Sequence, residues 1–299
     1  MARGLAPREV QMQIRYGFDV ALDLAQPTTI VTMMDVHSDF RRCVAEETEL
    51  ELAPSVEVER FVDDNGNIVR RLSAPAGTAS LRLQGVFRSA GREDEADSAA
   101  DAAAPAQLPP DTLPFLRPSR YCETDLLADL AWANFGAVSG GWGRVQAICD
   151  FVHQHLRFSY PEARPTRTAS EALTEGVGVC RDFAHLAVAL CRCLNIPARY
   201  CNGYLGDIGV PPDPAPMDFN AWFEAFLGDR WFTFDPRHNR PRIGRILISR
   251  GRDAADIPMI TTFGSHALTR FAVVTEEIKD REAAAAWRRV ASKKEEHPC

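Results

Sequence analysis

Apolar and polar residues alternate over Met12 to Leu24 and again over Ser80 to Phe87, and Thr28 to Val36 is β-branched and apolar. A period of two puts every second side chain on one face of a strand. Asp64-Asn65-Gly66-Asn67 reads as a turn between two such runs. The pattern predicts an antiparallel sandwich or barrel over residues 1–88.

The period changes after an Ala, Asp, Glu and Pro segment, residues 89–112, which has no apolar periodicity and reads as an acidic linker unable to order itself. Helices are predicted over Glu123 to Phe135 and Gly143 to Phe158. A third starts at Cys180, where Phe183, Leu186, Ala187, Leu190 and Leu194 share one face before Asn195-Ile196-Pro197 ends it. Strands return over Ala198 to Gly206, Asp218 to Leu227 and Arg230 to Asp235. Helices followed by strands indicate an α+β domain over residues 113–275. The remainder, residues 276–299, reads as a solvated helix and tail, with the helix from Glu276 to Glu296.

Gly228-Asp229 fits a two-residue hairpin turn. Leu227 then opposes Arg230, Trp222 faces Asp235 and Asn220 faces Arg237, so Asn220, Trp222, Glu224 and Asp235 share one side of the hairpin. The aromatic run from Phe219 to Phe234 fits a hairpin buried on both faces.

Composition narrows the function. The net charge of −7 argues against a nucleic-acid partner or an anionic membrane surface. Five acids and one base fall between Gly91 and Ala104, so the excess is concentrated in the linker. No stretch has the length of a membrane span and Met1 to Gln13 has no apolar leader, so the expected location is cytoplasmic. The eight scattered cysteines are expected to be mostly free thiols.

One of these cysteines carries candidate chemistry. Gly176-Val177-Gly178-Val179-Cys180 places Cys180 where a glycine-bearing turn enters a helix. There the unpaired N–H groups and the positive end of the dipole favour thiolate and could hold an oxyanion; a buried structural cysteine is the plain alternative. His185, five residues along the same helix, points about 140° away from Cys180. His153 and His155 sit two apart on another helix and read as ordinary core or surface histidines. Neither this pair nor Cys191 with Cys193 has the spacing of a zinc pair, and no metal or cofactor is expected. The arginines between Arg237 and Arg252 could receive a carboxylate or phosphate by bidentate bonds, but read more simply as a solvated strand face partnered by Asp253 and Asp256.

Four ordered segments, Gly-Val-Cys180-Arg-Asp-Phe-Ala-His-Leu, Asn195-Ile-Pro-Ala-Arg-Tyr-Cys-Asn-Gly-Tyr204, Asn220-Ala-Trp-Phe-Glu224 and Trp231-Phe-Thr-Phe-Asp-Pro236, together resemble the bacterial transglutaminase-like family of papain-like cysteine proteins. The resemblance covers Leu113 to Phe263 and implies a papain-like, transglutaminase-type core preceded by an antiparallel β domain. It also implies a thioester mechanism on peptide or protein substrates, with Cys180 matching the nucleophile and Asp235 the acid that orients the base. At the family's base position stands Asn220, which cannot shuttle a proton. Three readings follow. His238, three residues beyond Asp235, serves as base; the helix terminus and water alone support a slow reaction; or the domain is a degenerate relative that binds a peptide or protein partner. Pro236 should interrupt the ladder, so the direction of His238 is not inferable. Hydrolysis and transamidation differ only in the acyl acceptor, and no motif specifies the oligomeric state.

Overall fold

The computed structural model describes residues 12–214 and 217–279. Seven strands come first: β1 (Met12–Leu24), β2 (Thr28–Thr32), β3 (Val44–Glu47), β4 (Glu51–Ala53), β5 (Val58–Val62), β6 (Ile68–Ala74) and β7 (Gly77–Ser89). The helical part holds α1 (Thr124–Phe135), α2 (Gly141–His155), β8 (Arg157–Phe158), α3 (Ala169–Glu175), β9 (Val177–Gly178) and α4 (Cys180–Cys193). It is followed by β10 (Ala198–Tyr204), β11 (Asn220–Leu227), β12 (Arg230–Phe234), β13 (Ile246–Gly251), β14 (Ile260–Thr262) and β15 (His266–Glu277).

Among these elements the strands form three larger sheets and one short parallel pair. One runs β15-β1-β7-β3 with β4 also on β7, a second β14-β2-β6-β5, and the third β12-β11-β10-β13. The last two strands therefore do not stay with the core that precedes them. β15 lies antiparallel along β1 from Ile14–Glu277 to Leu24–His266, and β14 pairs with β2. Alternation in β1 explains the arrangement: Ile14, Tyr16, Phe18, Val20 and Leu22 face inward, and they share one hydrophobic core with Tyr204, Phe219, Ile246 and Ile248 of the third part of the chain. Where a carboxy-terminal helix was expected, Glu276 and Glu277 are still strand, and the rest of that segment from residue 280 lies outside the described residues.

The acidic segment is also ordered, contrary to its composition. Ala100 and Leu108 are buried, Trp142 N–H donates to Ala100 O (2.9 Å), and Gly228 N–H donates to Asp101 O (2.7 Å). Asp94 pairs with Arg245 at 2.8 Å. Its ordering comes from docking onto the core rather than from any core of its own.

The α4 helix runs through the centre of the helical part, and the periodic residues Phe183, Leu186, Ala187, Leu190 and Leu194 are all buried with Phe223, Ala225 and Leu227 of β11 in one cluster. The β11–β12 register, Phe223 to Phe234 through Leu227 to Arg230, is the one the hairpin arithmetic predicts. The aromatic hairpin is buried on both faces, with Trp222, Phe223, Phe226, Phe232 and Phe234 all in the interior. This geometry brings the head of α4 to the edge where β11 begins.

Candidate active site

The approach to Cys180 explains the two glycines. Gly176 closes α3 in the left-handed conformation (φ 66°), which costs glycine little. Gly178 leaves room for Asp182: a Cβ there would stand 2.6 Å from Asp182 Cβ. The buried Asp182 carboxylate accepts from Val179 N–H (2.9 Å), Arg167 Nη1 (3.1 Å) and Arg181 Nη2 (3.1 Å), fastening the first turn of α4. An acid in that position also complements the positive end of the helix.

Cys180 is half-buried at this helix head, with Ala184, Tyr200 and Ala221 on its apolar side. Ala221 in this cluster brings the start of β11 against the nucleophile, and its backbone N–H favours the thiolate. The helix end favours thiolate, and burial of the sulfur opposes it. Burial pushes the thiol up to about 11, although the Arg237 guanidinium and the Ala221 N–H pull the other way. Removal of the sulfur from water outweighs the Arg237 cation and the Ala221 N–H.

Asn220 Oδ1 accepts from Arg237 Nη1 at 3.2 Å, so the facing relation of these residues persists beyond the last ladder pair. Asn220 Nδ2 donates to Leu205 O (3.3 Å) and Asp218 O (3.4 Å). Arg237 also lies 3.9 Å over the Phe158 ring. The shared face therefore joins position 220 to the turn after β12, as the period-two argument requires.

That turn carries the acid and the histidine. Asp235 Oδ1 accepts the backbone N–H of Arg237 and of His238, both at 3.1 Å. Asp235 Oδ2 accepts from His238 Nδ1 at 2.9 Å and from Arg245 Nη2 at 2.8 Å. Burial alone would raise this carboxyl; Arg245 and the His238 bonds overcome it and hold Asp235 well below the usual carboxylate range. An ionised acceptor on Nδ1 assigns the ring proton there and leaves Nε2 with its lone pair. His238 lines a cleft together with Asn220, Arg237, Arg242, Tyr160 and Asp218. Tyr160 stands beside Asp218 in this lining, and its hydroxyl is pushed up to about 12 by burial and by the neighbouring Asp218 and Cys180.

The direction of His238, not inferable from the sequence, is set by α2. Gln146, Asp150 and His153 fall at i, i+4 and i+7 and so share a face. Gln146 Nε2 donates to Asn239 Oδ1 (2.9 Å), Asn239 Nδ2 donates to Asp150 Oδ1 (2.7 Å), and His153 Nδ1 donates to Arg237 O (2.9 Å). Asn239 takes a left-handed conformation (φ 50°) and returns its N–H to Asp235 O (2.7 Å). His153, read as an ordinary histidine, is thus part of the support of the site. The amphipathic period of α2 marks its buried face but says nothing of a polar row beside it.

The other candidates resolve simply. His185 is buried, stacks on Tyr121 (5.0 Å) and accepts from Ala254 N–H (3.1 Å), away from the thiol as the helical angle predicts. Within the arginine cluster Arg252 pairs with Asp256 as expected, but Arg245 pairs with Asp94 and Asp235 and Arg250 with Asp39, and Asp253 accepts from Tyr121 N–H. Among the described residues the seven cysteines are free, no cluster of three metal-binding side chains occurs, and no helix is long and apolar enough to cross a membrane.

A helix-head cysteine beside an antiparallel hairpin that presents an aspartate defines a papain-like α+β core. Residues 134–236 match the model of the transglutaminase-like superfamily. A solved structure of a candidate cysteine protease from Cytophaga hutchinsonii superposes with a TM-score of 0.79 at 30% identity, over 90% of this chain and 92% of that one. An uncharacterised Mycobacterium leprae protein is 33% identical over 110 residues, covering 36% of this chain and 39% of its own, and one from Mycobacterium tuberculosis is 29% identical over 126 residues, 38% of this chain and 40% of its own. The matched region spans about two fifths of the length of these curated relatives. The chain belongs to the transglutaminase-like superfamily.

Proposed function

We propose that this protein is a thiol-dependent acyl-transfer enzyme of the cysteine peptidase or amidase type, acting on peptide amides with Cys180 as nucleophile, His238 as base and Asp235 as the orienting acid. The observation that supports this is the 2.9 Å bond from His238 Nδ1 to the buried Asp235, made by a ring that lines the same cleft as Asn220. The acid-oriented imidazole is supplied from the β12 side of the hairpin instead of from position 220.

In the first half-reaction the Cys180 S–H proton passes to His238 Nε2 as sulfur bonds to the amide carbon and the carbonyl π pair moves to oxygen. The oxyanion is held by N–H groups at the α4 head. Collapse breaks the C–N bond, and the amine leaves with the proton from His238, giving a thioester. Water or an amine then adds to the thioester carbon, gives its proton to His238, and the proton returns to the departing sulfur. Because burial keeps the resting sulfur as thiol, His238 acts at the moment of attack rather than through a standing ion pair.

The same raised thiol and the asparagine at position 220 favour a second reading, a catalytically degenerate domain that binds a peptide or protein in the cleft. Incubation with peptide amides and peptide thioesters followed by intact-mass spectrometry distinguishes them. The enzyme reading expects an acyl adduct on Cys180, absent in Cys180→Ala, and turnover lost in His238→Gln. Peptide binding with neither adduct nor turnover in the folded protein overturns it.

A further inference from the structure

We propose that Arg245 and Asp94 are positioning residues of this site, an ion pair that ties the acidic segment to the core and sets the balance of charge on the Asp235–His238 couple. The inference rests on the reading of His238 as base, and it assigns a role to the segment that composition marks as a linker.

Arg245 is almost enclosed, with 8% of its side chain exposed against 2% for Asp235 and 15% for Asp94. Its Nη2 donates to the same Asp235 oxygen that receives His238 Nδ1, while its Nε donates to both Asp94 oxygens at 3.0 and 2.8 Å. The guanidinium lies 4.9 Å over Trp222, so its plane is fixed. Asp94 is held in turn by backbone: Asp94 N–H donates to Arg242 O (2.9 Å), Arg242 N–H donates to Asp94 Oδ2 (2.9 Å), and Glu93 bridges to Ile243.

A lone cation on Asp235 would draw on the carboxylate that must stabilise imidazolium while His238 carries a proton. Charges in a water-poor interior act on one another strongly. Asp94 offsets that cation, so the row Asp94, Arg245, Asp235, His238 alternates in sign when the base is protonated. Loss of Arg245 should favour the protonated ring and loss of Asp94 should disfavour it. The remaining charged or titratable neighbours stay in place: Arg237 on the same turn, Asp150 and His153 on α2, and the Cys180 thiol. Across the cleft, Asp207, Asp213, Asp218 and Arg242 are likewise unchanged.

The test is the pH titration of the His238 imidazole resonance, assigned by its loss in His238→Gln, in the full chain. It reads the couple without any substrate, so its outcome stands apart from whether turnover is found. Arg245→Met should move the midpoint up and Asp94→Asn down, each by about half a unit or more, with Arg245→Lys close to the parent. Midpoints that shift in the same direction, or that stay within about 0.2 of the parent, overturn the proposal. If Arg245→Met fails to fold, Asp94→Asn and Arg245→Lys still decide it, since no downward shift in the first rejects it.

Discussion

Asn220 and Arg237 meet side chain to side chain, Oδ1 to Nη1 at 3.2 Å, at the open end of the β11–β12 hairpin. The contact places residue 220 beside the turn that carries His238 and next to Ala221, which packs with Cys180. An imidazole introduced at 220 should therefore replace a lost His238. We expect His238→Gln to reduce thioester turnover by ~10²–10⁴, and Asn220→His in that background to restore about tenfold of it. The rescue is partial because the Arg237 cation disfavours protonation of a neighbouring ring. A folded double variant with no recovery would show that the two positions do not address the same sulfur.

The sulfur itself should behave as a buried thiol. With its pKa pushed up to about 11, Cys180 alkylation by iodoacetamide should be slow at neutral pH and climb through the alkaline range, beyond the ~8.5 of a free cysteine. Arg237→Met removes the opposing cation and should raise the midpoint further, slowing alkylation at pH 8 by up to about tenfold for each unit gained. A midpoint near neutrality would instead reveal a standing thiolate–imidazolium pair.

Much of this was legible where the information is local. The head of α4 follows from the spacing of Phe183 to Leu194, and the hairpin register from a turn of two residues; together they bring Asn220 to Arg237 without any coordinates. What was not legible depends on residues far apart in the chain. Asp94 and Arg245 are 151 positions apart, and neither carries a periodic pattern that names its partner. The same holds for β15, whose pairing with β1 spans most of the chain, and for His153, whose contact is a backbone carbonyl rather than a side chain. The helix end at Cys180 is visible in sequence, while the burial of the sulfur that opposes it is not.

Gly178 should be intolerant of any side chain. Its added Cβ would meet Asp182 Cβ at 2.6 Å, and Asp182 cannot yield without leaving Val179 N–H and Arg167. Gly178→Ala is expected to cost ~1–3 kcal/mol of stability through overpacking, measured by urea unfolding, and to alter the Cys180 alkylation rate because the same turn carries the sulfur. An unchanged unfolding midpoint would mean that the first turn of α4 shifts freely.

Acid should weaken the fold through two buried histidines before it reaches the site's carboxylate. Burial pushes His185 well below its ordinary range, reinforced by Arg181 and Arg192, and burial likewise lowers His37. A histidine kept neutral in the native state contributes stability in full above its unfolded value of ~6.5 and loses it as pH falls below that, at up to ~1.4 kcal/mol per pH unit for each proton. Asp235, held low, loses its contribution only below the ~3.9 of an unfolded aspartate, outside this window. Urea unfolding at pH 7.5 and 5.5 should thus show a marked loss in the parent. His185→Phe can still stack on Tyr121 but strands the Ala254 N–H that His185 accepts, so it should be less stable at pH 7.5 by ~1–3 kcal/mol. Its loss on acidification should nevertheless be smaller, with His37 accounting for a remaining slope; an equal slope in the two proteins would mean that His185 takes up its proton without unfolding.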